Sequence, residues 1–105
     1  MSNLTRIWKC KRDGWKAETN VKDVYEGLCL KITTYKNNRG LVTLATCYKP
    51  DGMFERHHVY QDFYWPLRVT NLRCTEKAVE KQHNDALSQL EQIKEMVNKH
   101  YKESQ

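Results

Sequence analysis

The sequence predicts an α+β fold, a twisted antiparallel sheet of about five strands over residues 1–74 followed by one long C-terminal helix over 75–105. Three observations carry that prediction. Turn-forming dipeptides recur through the first two thirds, at Asp13-Gly14, Asn37-Asn38 and Asp51-Gly52, and the runs between them are rich in β-branched and aromatic residues. From Thr75 onward neither Gly nor Pro occurs, and apolar residues return with helical spacing. At 105 residues the chain is one domain, near the lower limit at which a single hydrophobic core suffices.

The first hairpin is expected from strands over 7–11 and 15–18 around Arg12-Asp13-Gly14, because Asp-Gly supplies the positive φ a tight turn needs. A second hairpin pairs 28–36 with 41–49 across Asn37-Asn38-Arg39-Gly40, where Asn and Gly again tolerate left-handed backbone. Pro50-Asp51-Gly52 marks another reversal, leading into an extended run from Met53 to about Val69. Pro66 cannot donate a ladder hydrogen bond, so it bends that run or holds it at a sheet edge. Strict alternation would put Val59, Phe63, Trp65, Leu67 and Val69 on a core face, and His58, Tyr60, Tyr64, Arg68 and Thr70 on a wet one.

Thr75 is placed to cap the helix, with Glu76 and Glu80 near the positive end of its dipole. An apolar stripe follows at Val79, His83, Ala86, Leu90, Ile93 and Val97. A helix of nearly thirty residues spans about 40 Å, more than strands of ordinary length can cover. The stripe is therefore expected to form an interface in a homo-oligomer, unless the helix folds back at an unmarked break.

Composition restricts the function. The four cysteines stand apart, with no CxxC pair, which argues against a disulfide framework or a zinc knuckle. No run approaches the roughly 20 apolar residues of a membrane span, and the opening residues are too charged for a signal peptide, so the expected location is the cytoplasm with no membrane partner. Phosphate-binding glycine loops are absent. His57 and His58 are adjacent in a strand and so point to opposite faces, which disfavours chelation of one metal. Neither a catalytic pair nor a cofactor motif is marked, and the reading is of a protein that binds rather than catalyses.

Charge is uneven along the chain. Residues 1–74 carry 13 Lys and Arg against 7 Asp and Glu, while the remainder carries 5 against 6, so the basic surplus lies on the sheet. Arg56, Arg68 and Arg73 accompany His58, Tyr60 and Tyr64, with Arg39 on a hairpin tip. Guanidinium forks grip phosphate, and aromatic faces stack on bases. These seven residues are the predicted ligand-binding set, for an anionic small molecule such as a cyclic nucleotide. The same set could instead anchor a host protein in a blocking inhibitor of the anti-CRISPR or adaptor kind. Sequence-specific DNA binding is disfavoured, for there is neither a helix-turn-helix spacing nor a strongly basic helix.

The strand-rich front runs directly into a helix through Arg73-Cys74-Thr75-Glu76-Lys77, and in this layout the chain resembles small phage accessory proteins. The layout is similar to that of the Thoeris anti-defence sponges. Those proteins combine an N-terminal sheet with a C-terminal helix, oligomerise, and sequester cyclic ADP-ribose-type signals without degrading them. The resemblance implies a non-enzymatic phage anti-defence factor acting in the host cytoplasm. It transfers no site residue.

Overall fold

A computed structural model of the chain describes residues 4–25, 27–51 and 56–103; for 4, 23, 49–51 and 56–64 it describes the backbone only. Five strands, β1 (Leu4–Cys10), β2 (Gly14–Tyr25), β3 (Leu28–Asn37), β4 (Gly40–Asp51) and β5 (Arg56–Thr70), form an antiparallel meander in chain order. Both predicted hairpins are present. Cys10 pairs with Gly14 and Asn37 with Gly40, and both glycines have positive φ. Gly40 has a second reason to be glycine, since a Cβ there would collide with the carbonyl oxygen of Thr70. Strand β2 continues well beyond residue 18, with an irregularity between Val21 and Tyr25.

The predicted single long helix is two helices, α1 (Glu76–Leu87) and α2 (Leu90–Glu103). Thr75 caps α1 as expected, its hydroxyl accepting from the amide of Ala78 at 3.2 Å. The break between the helices is made by a side chain. Ser88 Oγ donates to the carbonyl of Asp85 at 2.6 Å, and the Gln89 amide, which in a continuous helix would use that carbonyl, turns to Ala86. No Gly or Pro was needed.

That break lets both helices lie on one face of their own sheet. Val79 of α1 packs with Ala17 and Leu41, and partly buried Trp15 and Cys74 flank them. Ile93, Val97 and Tyr101 of α2 pack on Val21, Leu30, Ile32, Ala45 and Cys47. The ring of Tyr101 stacks on Tyr25 with centroids 5.6 Å apart, closing the far end. Complete burial of a side chain such as Ile32 or Leu30 is worth about 1.5–3 kcal/mol. The stripe Val79, His83, Ala86, Leu90, Ile93, Val97 is thus intramolecular: all but the partly buried Leu90 are buried in the single chain. The predicted interface is corrected accordingly, because an overhang no longer exists to require a second copy.

Strand β5 is an edge strand, and Pro66 sits at one of its register shifts, opposite Leu44. Two such shifts break the expected alternation. Arg68 and Thr70 lie on the helix-bearing side, near Asp85 and Gln82, while Val69 is 48 % exposed on the other. Among the described side chains of β5, the predicted wet residues Arg68 and Thr70 thus face the helices and the predicted core residue Val69 faces away.

Candidate functional site

Two polar arrangements stand out, one on each side of the sheet. The first is buried. Each strand contributes one threonine on this side: Thr19, Thr34 and Thr43 are buried, Thr70 is half-buried, and Thr5 on edge strand β1 is exposed. His83, fully buried, reaches Thr19 Oγ1 through Nε2 at 2.7 Å and Thr34 Oγ1 through Nδ1 at 2.9 Å. Thr5 and Thr19 are 2.8 Å apart, and Thr34 and Thr43 are 2.7 Å apart. Gln82 donates its amide to the Leu41 carbonyl at 2.9 Å and to Thr43 Oγ1 at 3.1 Å, and it accepts from the Thr70 hydroxyl at 2.7 Å.

The proton order along this chain follows from its anchored end. A backbone carbonyl only accepts, so the Gln82 nitrogen faces Leu41 and therefore donates to Thr43 as well. Thr34 Oγ1 is the acceptor placed for the Thr43 proton among the described residues, so satisfying that donor sends the Thr43 proton to Thr34, the Thr34 proton to His83 Nδ1, and the Nε2–H to Thr19. His83 is held neutral, in the Nε2–H tautomer. Burial pushes its pKa down to about 4, and Glu18 opposes that only in part. This layer fixes α1 on the sheet between two apolar clusters, which is a structural role.

The second arrangement lies on the face without helices. Here Trp8 pairs with Lys16, and Tyr35 pairs with Val42, which in turn pairs with Val69. Ala17 pairs with Thr34, which brings Lys16 and Tyr35 to the same level. Across β1 to β5 this row reads Trp8, Lys16, Tyr35, Val42, Val69. The next row is Arg6, Glu18, Thr33, Leu44, and the one beyond it contains Asn20, Lys31 and Thr46. Arg6 lies 5.2 Å from the Trp8 ring, and Lys31 lies 5.2 Å from the ring of Tyr48. Such pairs hold a cation and a flat ring together before any ligand arrives.

Several polar atoms on this face are already engaged. Asn20 donates to Glu18 at 3.1 Å and accepts from the Tyr48 hydroxyl at 3.1 Å. Lys16 shares its charge with Asp13 at 3.4 Å. Burial pushes the Tyr48 phenol up to about 12, reinforced by neighbouring Cys29 and Glu18. Arg6 is exposed and Trp8, Lys31 and Tyr35 are half-buried, while Val42 and Leu44, at 3 % and 7 % exposure, are covered by their neighbours.

The predicted ligand-binding residues do not converge. Arg39, on the β3–β4 turn, and Arg73, just beyond β5, are both exposed at one end of the sheet. Arg73 is held there because the Cys74 thiol donates to the Trp15 carbonyl at 3.2 Å. Arg56 pairs with Asp51 and His58 with Lys49 at the opposite end, roughly 30 Å away along the strands. Tyr60 pairs with Cys47 and Tyr64 with Thr46; the side chains of Arg56, His58, Tyr60 and Tyr64 lie outside the described residues. Arg68 is 4.0 Å from Asp85, beside a small cleft on the helix side. A larger groove of about 300 Å³ also lies on that side, between Trp65 and Met96, Lys99, His100 and Glu103 of α2.

Sequence reasoning missed Arg6, Trp8, Lys16, Lys31 and Tyr35. The signal that could have found them was the pair of hairpin turns, which fix register and thereby bring Trp8 beside Lys16. Among the described residues, His, Cys, Asp and Glu form no group of three placed to hold a metal. No described helix is long and apolar enough to cross a membrane. A search found no matching family model, no matching curated protein and no matching solved structure.

Proposed function

We propose that the chain is a non-catalytic binding protein whose helix-free sheet face holds a phosphate-bearing ligand. The observation that carries this reading is the juxtaposition of Arg6 with Trp8 on β1 and of Lys16 on β2 with Tyr35 on β3, in two adjoining rows of one sheet face. Cations there meet phosphate, and the rings offer flat surfaces to bases. The helices pack on the other face. The resemblance in layout that the sequence bears to the Thoeris anti-defence sponges makes a nucleotide immune signal, sequestered in a host cytoplasm by a phage factor, the specific case to test.

Calorimetry and thermal shift with cyclic nucleotides, cyclic ADP-ribose isomers and short oligonucleotides test the proposal. A stabilising ligand whose effect is lost in Arg6→Gln supports it. The absence of a response from every phosphate compound refutes it.

A second reading is favoured by a separate observation. Val69 and Leu72 are 48 % and 47 % exposed at the end of the sheet that carries Arg39 and Arg73, and exposed apolar residues with arginines at the same end are the makings of a protein-docking surface. A stoichiometric protein partner whose binding is lost in Leu72→Asp but retained in Arg6→Gln would select this blocking-inhibitor reading.

A further inference from the structure

The ligand that the helix-free face fits is a polymer. Four inter-strand gaps of about 4.8 Å separate β1 from β5, so the face is about 19 Å wide. Its flat rings are spread over that width: Trp8 stands on β1 and Tyr35 on β3, about 10 Å apart. Its cations are spread too, with Arg6 on β1, Lys31 on β3 and Arg39 at the β3–β4 tip. A single nucleotide has one base and one phosphate cluster, and would leave most of these groups unused. A chain with a base and a phosphate at every step uses them all.

We infer, building on the reading of this face as the binding site, that its occupant is single-stranded nucleic acid lying across the strands. A duplex is the poorer fit, because its paired and stacked bases present no free faces to the rings of Trp8 and Tyr35, whereas unpaired bases do. The face should also be tolerant of sequence. Asn20, Glu18 and the Tyr48 hydroxyl are bonded to one another, so beyond the hydroxyls of Thr33 and Thr46 the face offers mainly stacking and charge. The mode is that of a stacking platform with an electrostatic border.

The test measures binding of the full chain to three probes: a fluorescein-labelled dT12 strand, the same strand annealed to dA12, and thymidine monophosphate, the last by calorimetry. The expected result is binding of dT12 at least tenfold tighter than that of the duplex or the monophosphate. Its log affinity should fall with log salt at a slope of about −2, as for three phosphate contacts on a single strand. Trp8→Ala should weaken dT12 binding at least about fivefold. Arg6→Gln, an exposed change on an edge strand, should flatten the salt slope by about 0.7. Lys81→Glu, on the exposed surface of α1, should change neither. Equal affinity for monophosphate and dT12 would overturn the polymer while sparing the phosphate-binding face, and equal affinity for duplex would overturn the single-strand assignment. Silence from all three probes would remove both the inference and the reading beneath it.

Discussion

Acidification should destabilise the fold through His83 in particular. The imidazole is enclosed by threonines that hold it neutral, and its pKa falls from 6.5 to about 4 because burial disfavours the cation. The unfolded chain takes up a proton at about pH 6.5, whereas the folded protein does so only near 4. Unfolding therefore binds a proton between these values, and stability is complete above pH 6.5 and declines as pH falls through that window. A separation of about 2.5 units corresponds to a loss on the order of 3 kcal/mol, a substantial share of the 5–15 kcal/mol available to a small domain. The assay is urea unfolding followed by tryptophan fluorescence at half-unit steps from pH 8 to 4, for the native chain and for His83→Gln. Subtracting the two profiles removes the carboxylates and the other histidines. A difference that declines by about 3 kcal/mol is expected, together with an NMR signature of the Nε2–H tautomer. A flat difference, or titration of His83 near 6.5 in the folded protein, would refute the reasoning.

Other perturbations follow from the packing. Ile93→Ala should cost about 2–5 kcal/mol by opening a cavity under α2, and its melting temperature should be independent of protein concentration, since the stripe is buried within one chain. A concentration-dependent transition would reinstate the oligomer interface. Gly40→Ala should cost about 1–3 kcal/mol, because the residue has positive φ and its added methyl meets the Thr70 carbonyl; chemical denaturation measures this, and a neutral outcome would show that the turn and the exit of β5 yield freely. Tyr48 should ionise near pH 12 in ultraviolet titration. Because its folded pKa lies above the unfolded 10, stability should be complete below pH 10 and decline above it. A phenol population titrating only near 10 in the folded protein would contradict its burial.

The fold was legible where local chemistry decides. Asp13-Gly14 and the Asn-rich turn at 37–40 announced their hairpins, Thr75 announced the helix start, and Pro66 announced an edge. What stayed hidden depended on single side chains meeting at a distance. The helix break rests on the Ser88 hydroxyl capturing the Asp85 carbonyl, an option open to any serine in a helix and so without a distinctive pattern. The mixed sidedness of β5 comes from register shifts at Thr43/Leu44 and Thr46/Cys47, which alternation cannot foresee. The candidate site was sought on β5 because arginines and tyrosines are dense there. The described face instead gathers scattered residues, Arg6 and Trp8 with Lys16, Lys31 and Tyr35, that become neighbours only through pairing. The threonines on the helix side were equally invisible: each is an unremarkable strand residue until the sheet aligns four of them, Thr19, Thr34, Thr43 and Thr70, against His83 and Gln82.

The three tryptophans offer a direct reading of where a ligand sits. Trp8 stands on the helix-free face, Trp15 beneath α1, and Trp65 at the groove beside α2. Titrating nitrogen-15-labelled protein with dT12 and following the three indole N–H signals should move the Trp8 resonance first and furthest, with Trp15 and Trp65 nearly still. Movement of Trp65 alone, or of none of the three, would contradict the assignment of binding to the open side of the sheet.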